Sequence, residues 1–287
     1  GSIRYPARRF EGRVGAADLN LNVSREILQQ DRLVRNIRRN LTKKLFERLE
    51  KLEPEKYEKF YTEFGSILKI GVPNDPENKD RIAKLLRYKT TRSNNQFKSL
   101  QEYVNNMQPD QKHIYYITGE KLSTILNSPH LEKLKEKDYE VLLMNDPVDE
   151  WVVQSLEEFE GKKLKSAEKG DLEIDKIDDS KKEEFSAIFD FIRSQLDDKL
   201  REVKPSTRLK DSVACMSGGE YDMSAFMEKI MAASGQKMPE NKRVLELNMD
   251  HPVMMKIKSL FEKDKDDPRL KKYSELLYDI AIIGERS

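Results

Sequence analysis

The sequence predicts an α/β fold followed by an α+β fold, with a polar stretch at residues 168–183 between them. Three observations support this prediction. Helical periodicity dominates before residue 70, a strand-helix-strand pattern occupies residues 113–145, and short strands alternate with helices after residue 200. A chain of 287 residues is long enough for two domains that each bury a core of their own.

The first part is predicted to begin with a helical segment. Residues 24–52 repeat apolar side chains at helical spacing, which indicates one long amphipathic helix. A second helix is expected over residues 54–68, and Gly71 with Pro73 is predicted to end that segment. The helical pattern then continues as far as Leu86.

A small three-layer α/β unit is predicted next. Residues 113–118 and 139–145 are strand-like, and residues 120–137 between them are helical. Such a βαβ unit forms a parallel pair of strands with a right-handed crossover. A helix from Pro147 and a short run near Leu164 complete the unit.

The second part is predicted to be an α+β domain with a small sheet and helices on it. Its first helix is expected over residues 184–200, with an apolar face. Three strands are expected to alternate with three helices after it. The strands are at 201–209, 212–217 and 243–249, and the helices at 222–234, 252–263 and 268–283.

Composition and charge exclude several classes of function. The chain has 53 Lys and Arg against 52 Asp and Glu, a net charge of +1, which argues against general nucleic-acid binding. Neither a membrane-spanning apolar run nor a signal peptide is visible. The single cysteine, Cys215, cannot form an intrachain disulfide and suits a reducing, cytoplasmic compartment. The histidines, His113, His130 and His251, are scattered, so no metal site is expected.

The segment around Ser24 is predicted to present an arginine to an anion. Ser24 can cap a helix start, whereas Arg25 places a cation at the positive end of the helix dipole. Gln29 lies one turn later on the same face, so the two side chains form a candidate anion-binding pair. The alternative is a surface arginine that only packs its aliphatic stem.

Two apolar stripes are candidates for either core or binding surface. In the helix after Asp222, apolar side chains recur at i, i+3, i+4, i+7 and i+8: Met223, Phe226, Met227, Ile230 and Met231. Such a stripe is usually core, but methionine is over-used on adaptable binding surfaces, and glycines flank this helix. The final helix carries a second stripe, which comprises Tyr273, Leu276, Leu277, Ile280 and Ile283. Trp151, the only tryptophan, leaves the same two alternatives open.

Four motifs in the same order resemble the heat shock protein 90 chaperones, and in particular the bacterial HtpG type. The motifs are LNVSREILQQ at 21–30, YYITG at 115–119, DEW at 149–151 and EFEGK at 158–162. The similarity runs from about residue 18 to the C-terminus. It implies a fragment with a poorly matching or cloning-derived flank at 1–17, the end of the middle domain at 18–170, a linker at 171–183, and a C-terminal domain at 184–287 that dimerises and binds clients.

The resemblance also implies roles for individual residues. In the full-length family, which uses ATP and Mg, Arg25 would contact the γ-phosphate with support from Gln29. The ATP pocket lies in an N-terminal domain outside this chain, so the fragment is expected to bind no cofactor and not to be an enzyme by itself. Non-native client proteins would contact the helix from Met223 to Met231 and a patch around Trp151 and Gln154.

The resemblance further implies a homodimer in which the final helices of two chains pack together. The family usually continues into one further helix beyond the position of Ser287, so the resemblance leaves open whether this chain dimerises. Two readings from other classes also remain. One is a small α/β enzyme that uses Arg25 to bind an anionic substrate, and the other is a structural helical scaffold.

Overall fold

The structure is a computed structural model that describes residues 32–196, 199–236 and 242–286. The chain divides into two units, residues 1–52 and residues 53–287. In the first unit the described part is helix α1, Arg32–Glu50. It lies within the long helix predicted for residues 24–52, whose first eight residues fall outside the described ones.

The second unit begins with helices and a six-stranded sheet. Its strands are numbered in chain order, with the ranges given in the next sentence, and they lie side by side in the order β2-β1-β4-β3-β6-β5. The elements are α2 (Pro54–Asn74), α3 (Lys79–Leu85), β1 (Arg87–Thr90), β2 (Lys98–Ser99), α4 (Leu100–Asn105), β3 (Ile114–Thr118), α5 (Leu122–Leu126), α6 (Glu132–Glu136), β4 (Val141–Met144), α7 (Asp149–Ser155), β5 (Glu158–Phe159) and β6 (Lys162–Ser166).

The predicted βαβ unit is confirmed at the centre of this sheet. Strand β3 pairs in parallel with β4, with Tyr115 opposite Val141, and helices α5 and α6 connect the two strands. β3 also pairs in parallel with β6. Every residue of β3 and β4 is buried, as expected for central parallel strands covered on both faces.

The rest of the second unit is built around a three-stranded sheet with the order β7-β9-β8. Strand β9 pairs in parallel with β7 and antiparallel with β8. The elements are α8 (Asp179–Gln195), β7 (Leu200–Pro205), β8 (Ala214–Ser217), α9 (Ala225–Ala233), β9 (Arg243–Leu247), α10 (Pro252–Lys263) and α11 (Pro268–Arg286). All three strands and all four helices were predicted, and the α+β class is confirmed.

The core of this part lies between the small sheet and α8, α10 and α11. Helix α8 contributes the face that the sequence predicts for it, since Phe185, Ile188, Phe189 and Ile192 are all buried. The helix begins at Asp179, five residues before the predicted start, because the Asp178 carboxylate caps it by accepting from the Ser180 amide at 2.9 Å.

Helix α2 does not end before Gly71 and Pro73, so that prediction is wrong. The helix continues to Asn74, and the Asp75 amide donates to the Gly71 carbonyl at 2.8 Å. Pro73 removes one hydrogen bond of the i→i−4 type, and because it lies in the last turn only Asn74 follows it in the helix. Gly71 serves close packing instead, since a Cβ there would lie 2.9 Å from Ile82 Cδ1.

A buried ion pair joins the small sheet to residues 167–170, the strap that follows β6. Arg208 and Glu246 are both almost fully buried, and Arg208 Nε donates to Glu246 Oε2 at 2.9 Å. The other guanidinium nitrogens of Arg208 donate to the carbonyls of Ala167 and Gly170. The predicted linker at 171–183 therefore follows a segment that is held in place by the small sheet, and the domain boundary itself stays a prediction.

The surroundings of Glu246 keep it ionised. Burial opposes its ionisation, but the Arg208 guanidinium, the Lys204 ammonium and the Ser217 hydroxyl outweigh that effect and lower its pKa to about 2. Ser206 and Ser217 donate to the two carboxylate oxygens at 2.9 and 2.7 Å. The charge is therefore fully paired despite its burial.

We expect Glu246→Gln to lower the free energy of unfolding by about 3–5 kcal/mol, because it leaves Arg208 buried beside a neutral amide. Urea unfolding followed by circular dichroism would measure the change. Glu262→Gln is the matched control, since Glu262 pairs with Lys258 on the exposed face of α10. This substitution should change the free energy of unfolding by less than about 0.5 kcal/mol.

The same pair sets a pH dependence. The folded pKa of Glu246 lies below its ordinary value of 4.5, so its stabilisation is full above that pH and is lost as the pH falls towards 2. The loss amounts to about 3 kcal/mol. If the wild-type chain and the Glu246→Gln variant lost the same free energy of unfolding between these pH values, Glu246 would not be the group responsible.

Candidate functional site

The methionine-rich helix α9 is placed by its N-cap. Ser224 Oγ accepts from the Met227 amide at 2.9 Å and donates to Glu150 Oε1 on α7. A serine at this position satisfies one of the amides that a helix start leaves unpaired. Its second hydrogen bond fixes the start of α9 against the large-sheet part of the second unit.

The stripe on α9 is covered along its centre and half-buried at its ends. Phe226 and Met227 are 8% and 7% exposed, whereas Met223, Ile230 and Met231 are half-buried. The helix begins at Ala225, three residues after the predicted start, so Met223 lies just before its Ser224 N-cap. The two alternatives that the sequence leaves open are therefore both present within this one stripe. The central side chains are core in this structure, and the flanking ones remain partly accessible.

Phe226 lines a cavity of about 120 Å³ between α9, the end of β3 and the last turn of α11. Ile117 and Ile125 form part of its apolar wall, and Glu168 and Glu285 are among its polar residues. Burial, together with the neighbouring carboxylates of Glu150 and Glu285, raises the pKa of Glu168 to about 7.

His130 also lines this cavity. Burial and, secondly, the Arg208 charge lower its pKa to about 3, so the imidazole is neutral at pH 7. Among the residues that the structure describes, no three His, Cys, Asp or Glu side chains are grouped as metal ligands would be. The free thiol of Cys215 is buried, and burial raises its pKa, so it is not a nucleophile here.

Arg243, the first residue of β9, connects α9 with α11. Its Nη2 donates to Glu228 Oε2 on α9 at 2.9 Å, and its Nη1 donates to the Met223 carbonyl at 3.2 Å. Its Nε lies 3.5 Å from Glu285 Oε1 in the last turn of α11. One guanidinium thus contacts both helices that the sequence singles out.

Trp151 and Gln154 are both exposed on α7, and 37% of the Trp151 surface is accessible. The alternative of a core tryptophan is therefore wrong for this structure. The buried pair of Lys69 and Asp149 holds the start of α7 on α2, with Lys69 Nζ 2.8 Å from Asp149 Oδ1. Val152, on another side of α7, is buried in the core.

The stripe on α11 separates into two faces. Leu277 is 1% exposed and packs in the core beside Leu270 and Ala281. The other four predicted members are exposed on an adjacent face of the helix: Tyr273, Leu276, Ile280 and Ile283. The stripe is thus wider than a single interface, and one edge of it belongs to the core of its own chain.

Arg25 and Gln29 lie outside the described residues, so their predicted anion site stays a prediction. The other candidate residues lie on three separate helices, α7, α9 and α11, or in the case of Met223 just before α9, and the structure does not gather them into one pocket. Sequence reasoning missed Glu150, Ser224 and Arg243. Ser224 carried a signal, since a serine directly before a helical stripe is a typical N-cap.

Within the described ranges, no helix combines the length and the apolar character that crossing a membrane requires. The sequence profile of the family described as "Hsp90 protein" matches residues 9–285. The chain is 43% identical to the Chaperone protein HtpG of Geobacter metallireducens and to that of Geobacter sulfurreducens, over 98% of its own length. It is 41% identical to the Chaperone protein HtpG of Mycolicibacterium gilvum. In each case it spans 45% of the relative's length.

Proposed function

The chain belongs to the Hsp90 family, and we propose that it is the part of an HtpG-type chaperone that binds non-native client proteins and brings two copies together. The observation that carries the proposal is the presence of accessible apolar side chains on α7, α9 and α11. Each large apolar side chain that stays wet forgoes roughly 1.5–3 kcal/mol of burial, which favours a partner that covers it.

We assign client binding first to α9. Met223, Ile230 and Met231 are half-buried at the two ends of its stripe, and the flexible methionine side chain adapts to irregular partners. Phe226 and Met227 extend the same stripe through its covered centre. An unfolded segment with mixed apolar side chains is the type of ligand that such a surface suits.

Trp151 and Gln154 form a second proposed client contact on α7. An exposed indole offers a large apolar area with little conformational freedom to lose, and a neighbouring amide can pair with client backbone groups. Because Trp151 is the only tryptophan, its emission reports on this contact without labelling.

We predict that Met223, Ile230 and Met231 changed together to serine raise the chaperone concentration needed for half-maximal suppression of aggregation by about tenfold. This corresponds to about 1.4 kcal/mol of lost contact. Light scattering from a chemically unfolded enzyme measures suppression, and Trp151 emission should still shift when the client is added. The matched control is Met255→Ser, an exposed methionine on α10.

Unchanged suppression by the triple variant, with an unaltered midpoint of thermal unfolding, would remove α9 from the client surface. An unchanged Trp151 emission spectrum in the presence of saturating client would remove α7.

The exposed face of α11 is the proposed homodimer contact. Tyr273, Leu276, Ile280 and Ile283 recur at helical spacing and present apolar surface away from the chain's own core. Two such faces can pack against each other about a two-fold axis, as in helix bundles. Leu277, on the face of α11 that packs in the core, is buried and anchors the helix to its own chain.

We predict that Leu276→Asp with Ile280→Asp converts a concentration-dependent dimer into a monomer in sedimentation velocity experiments, because four charges would then meet across the two-fold axis. Ile67→Asp is the control, since this exposed isoleucine lies on α2. A wild-type chain that sediments as a monomer at every concentration would contradict the assignment.

We further propose that, in the whole protein, Arg25 and Gln29 act on ATP and Mg that are bound by another domain. A guanidinium that reaches the γ-phosphate stabilises the charge that develops during hydrolysis. The chain alone is then not an enzyme and needs no cofactor.

In a full-length protein, Arg25→Ala should lower the ATP turnover number by about tenfold or more and leave nucleotide affinity unchanged. Steady-state turnover and equilibrium nucleotide titration measure the two quantities. The control is Arg38→Ala, which removes an exposed arginine from α1. Normal turnover in the Arg25 variant would exclude this role.

Membership of the Hsp90 family favours the chaperone over the α/β enzyme that would bind an anionic substrate through Arg25. No general base or nucleophile accompanies the arginine in the sequence. We place the protein in the cytoplasm because its one cysteine is a buried free thiol, which suits a reducing compartment. The proposed domain boundary remains at 171–183.

A further inference from the structure

We propose that Arg243 is a latch that holds the centre of the client-binding stripe closed, and that α9 must release from it before Phe226 and Met227 reach a client. The proposal rests on the assignment of α9 to client binding. It starts from a conflict in the structure, because the two central side chains of the stripe are the most buried ones.

Besides the packing of Phe226 and Met227, α9 is held by a few polar contacts, which are confined to its start. They are the ion pair between Arg243 and Glu228, the hydrogen bond from Arg243 to the Met223 carbonyl, and the hydrogen bond from Ser224 to Glu150. Within the described residues, no hydrogen bond or ion pair joins residues 229–236 to another element. The C-terminal half of the helix is therefore held only by its half-buried apolar side chains.

The hydrogen-bonding capacity of α9 is not fully satisfied in this closed arrangement, in which Arg243 holds the helix. Glu228 Oε1 is buried and has no hydrogen-bond partner, and Phe226 lines the cavity of about 120 Å³ described above. An unpaired buried oxygen costs free energy in the closed arrangement. The latch is therefore balanced closer to opening than a well-packed core helix would be.

The chain on either side of α9 can accommodate a movement. Gly235 follows the helix with φ +81°, and a Cβ there would meet nothing within 4 Å, so the backbone lies in open space. Before the helix, Asp222 is anchored by Arg201 at 2.6 Å and by the Gly219 amide at 2.6 Å. Residues 223–224, between this anchor and the helix, are where a swing would begin.

Arg243 also connects the latch to the proposed dimer helix, since Glu285 in the last turn of α11 shares its guanidinium. A shift of α11 that draws Glu285 away or brings it closer would change the charge available to Glu228. The geometry thus provides a route by which packing on α11 alters access to α9.

The test uses two thiol reporters in the same fold. Met227→Cys in a Cys215→Ser background reports opening of α9, and Cys215 in the otherwise native chain reports unfolding of the small sheet, where it is buried in β8. The rate of modification by a disulfide reagent is measured for each reporter. Arg243→Met should speed modification of the thiol at position 227 at least tenfold, and Arg243→Lys should have a smaller effect.

Glu228→Gln weakens the same contact from the helix side and leaves β9 untouched, so it should also speed modification at position 227 while Cys215 stays protected. Arg269→Met is the control, because Arg269 is an exposed residue in the first turn of α11 and pairs with Asp267, just before that helix. Unchanged rates at position 227 in both the Arg243→Met and Glu228→Gln variants would overturn the latch.

Aggregation assays on the same variants separate the latch from the function on which it rests. Faster modification at position 227 together with stronger suppression of aggregation supports both. Faster modification without any change in suppression supports the latch and contradicts client binding by the centre of α9.

Discussion

The buried pair of Arg208 and Glu246 is the interaction on which the arrangement of the second unit depends. Two ionised groups out of contact with water are tolerated only when their hydrogen-bonding capacity is satisfied, and here serine hydroxyls and backbone carbonyls complete it. Because the guanidinium also binds the carbonyls of Ala167 and Gly170, the pair fixes the small sheet to the strap that follows β6. Strand β9, which carries Glu246, also carries Arg243, the residue that contacts both α9 and α11.

A second carboxylate strengthens the same connection from the other side. Glu132 at the start of α6 accepts from the amides of three successive residues, Lys210, Asp211 and Ser212, at 2.7–3.1 Å. Burial opposes its ionisation, but the Ser212 hydroxyl and the backbone amides outweigh that and lower its pKa. The two sheets are thus joined through directional polar contacts, which define one geometry more narrowly than apolar packing does.

The three helices proposed to meet a partner are each supported differently. α7 is held by the buried ion pair of Lys69 and Asp149, and α11 by Leu277 in the core, so their exposed faces are rigidly presented. α9 is packed through Phe226 and Met227 near its start, where Arg243 and Ser224 also hold it, and has no buried side chain in its second half. A surface that must accept many different segments gains from such mobility, whereas a surface that meets a copy of itself does not.

The sequence by itself determined the elements. Periodicity and capping residues predict the βαβ unit, the buried face of α8, and all strands and helices after residue 200, because these follow from local spacing. Strand β1 was not predicted, since its four residues include Arg87 and Lys89, and only the sheet around Tyr88 makes them a strand. Only the tertiary structure decided which stripes are covered. A stripe such as that of Met227 or Leu276 indicates that a helix has an apolar face. Neighbours distant in sequence decide whether that face is buried. Arg243 illustrates this limit, because its two carboxylate partners are 15 and 42 positions away and no local pattern brings them together.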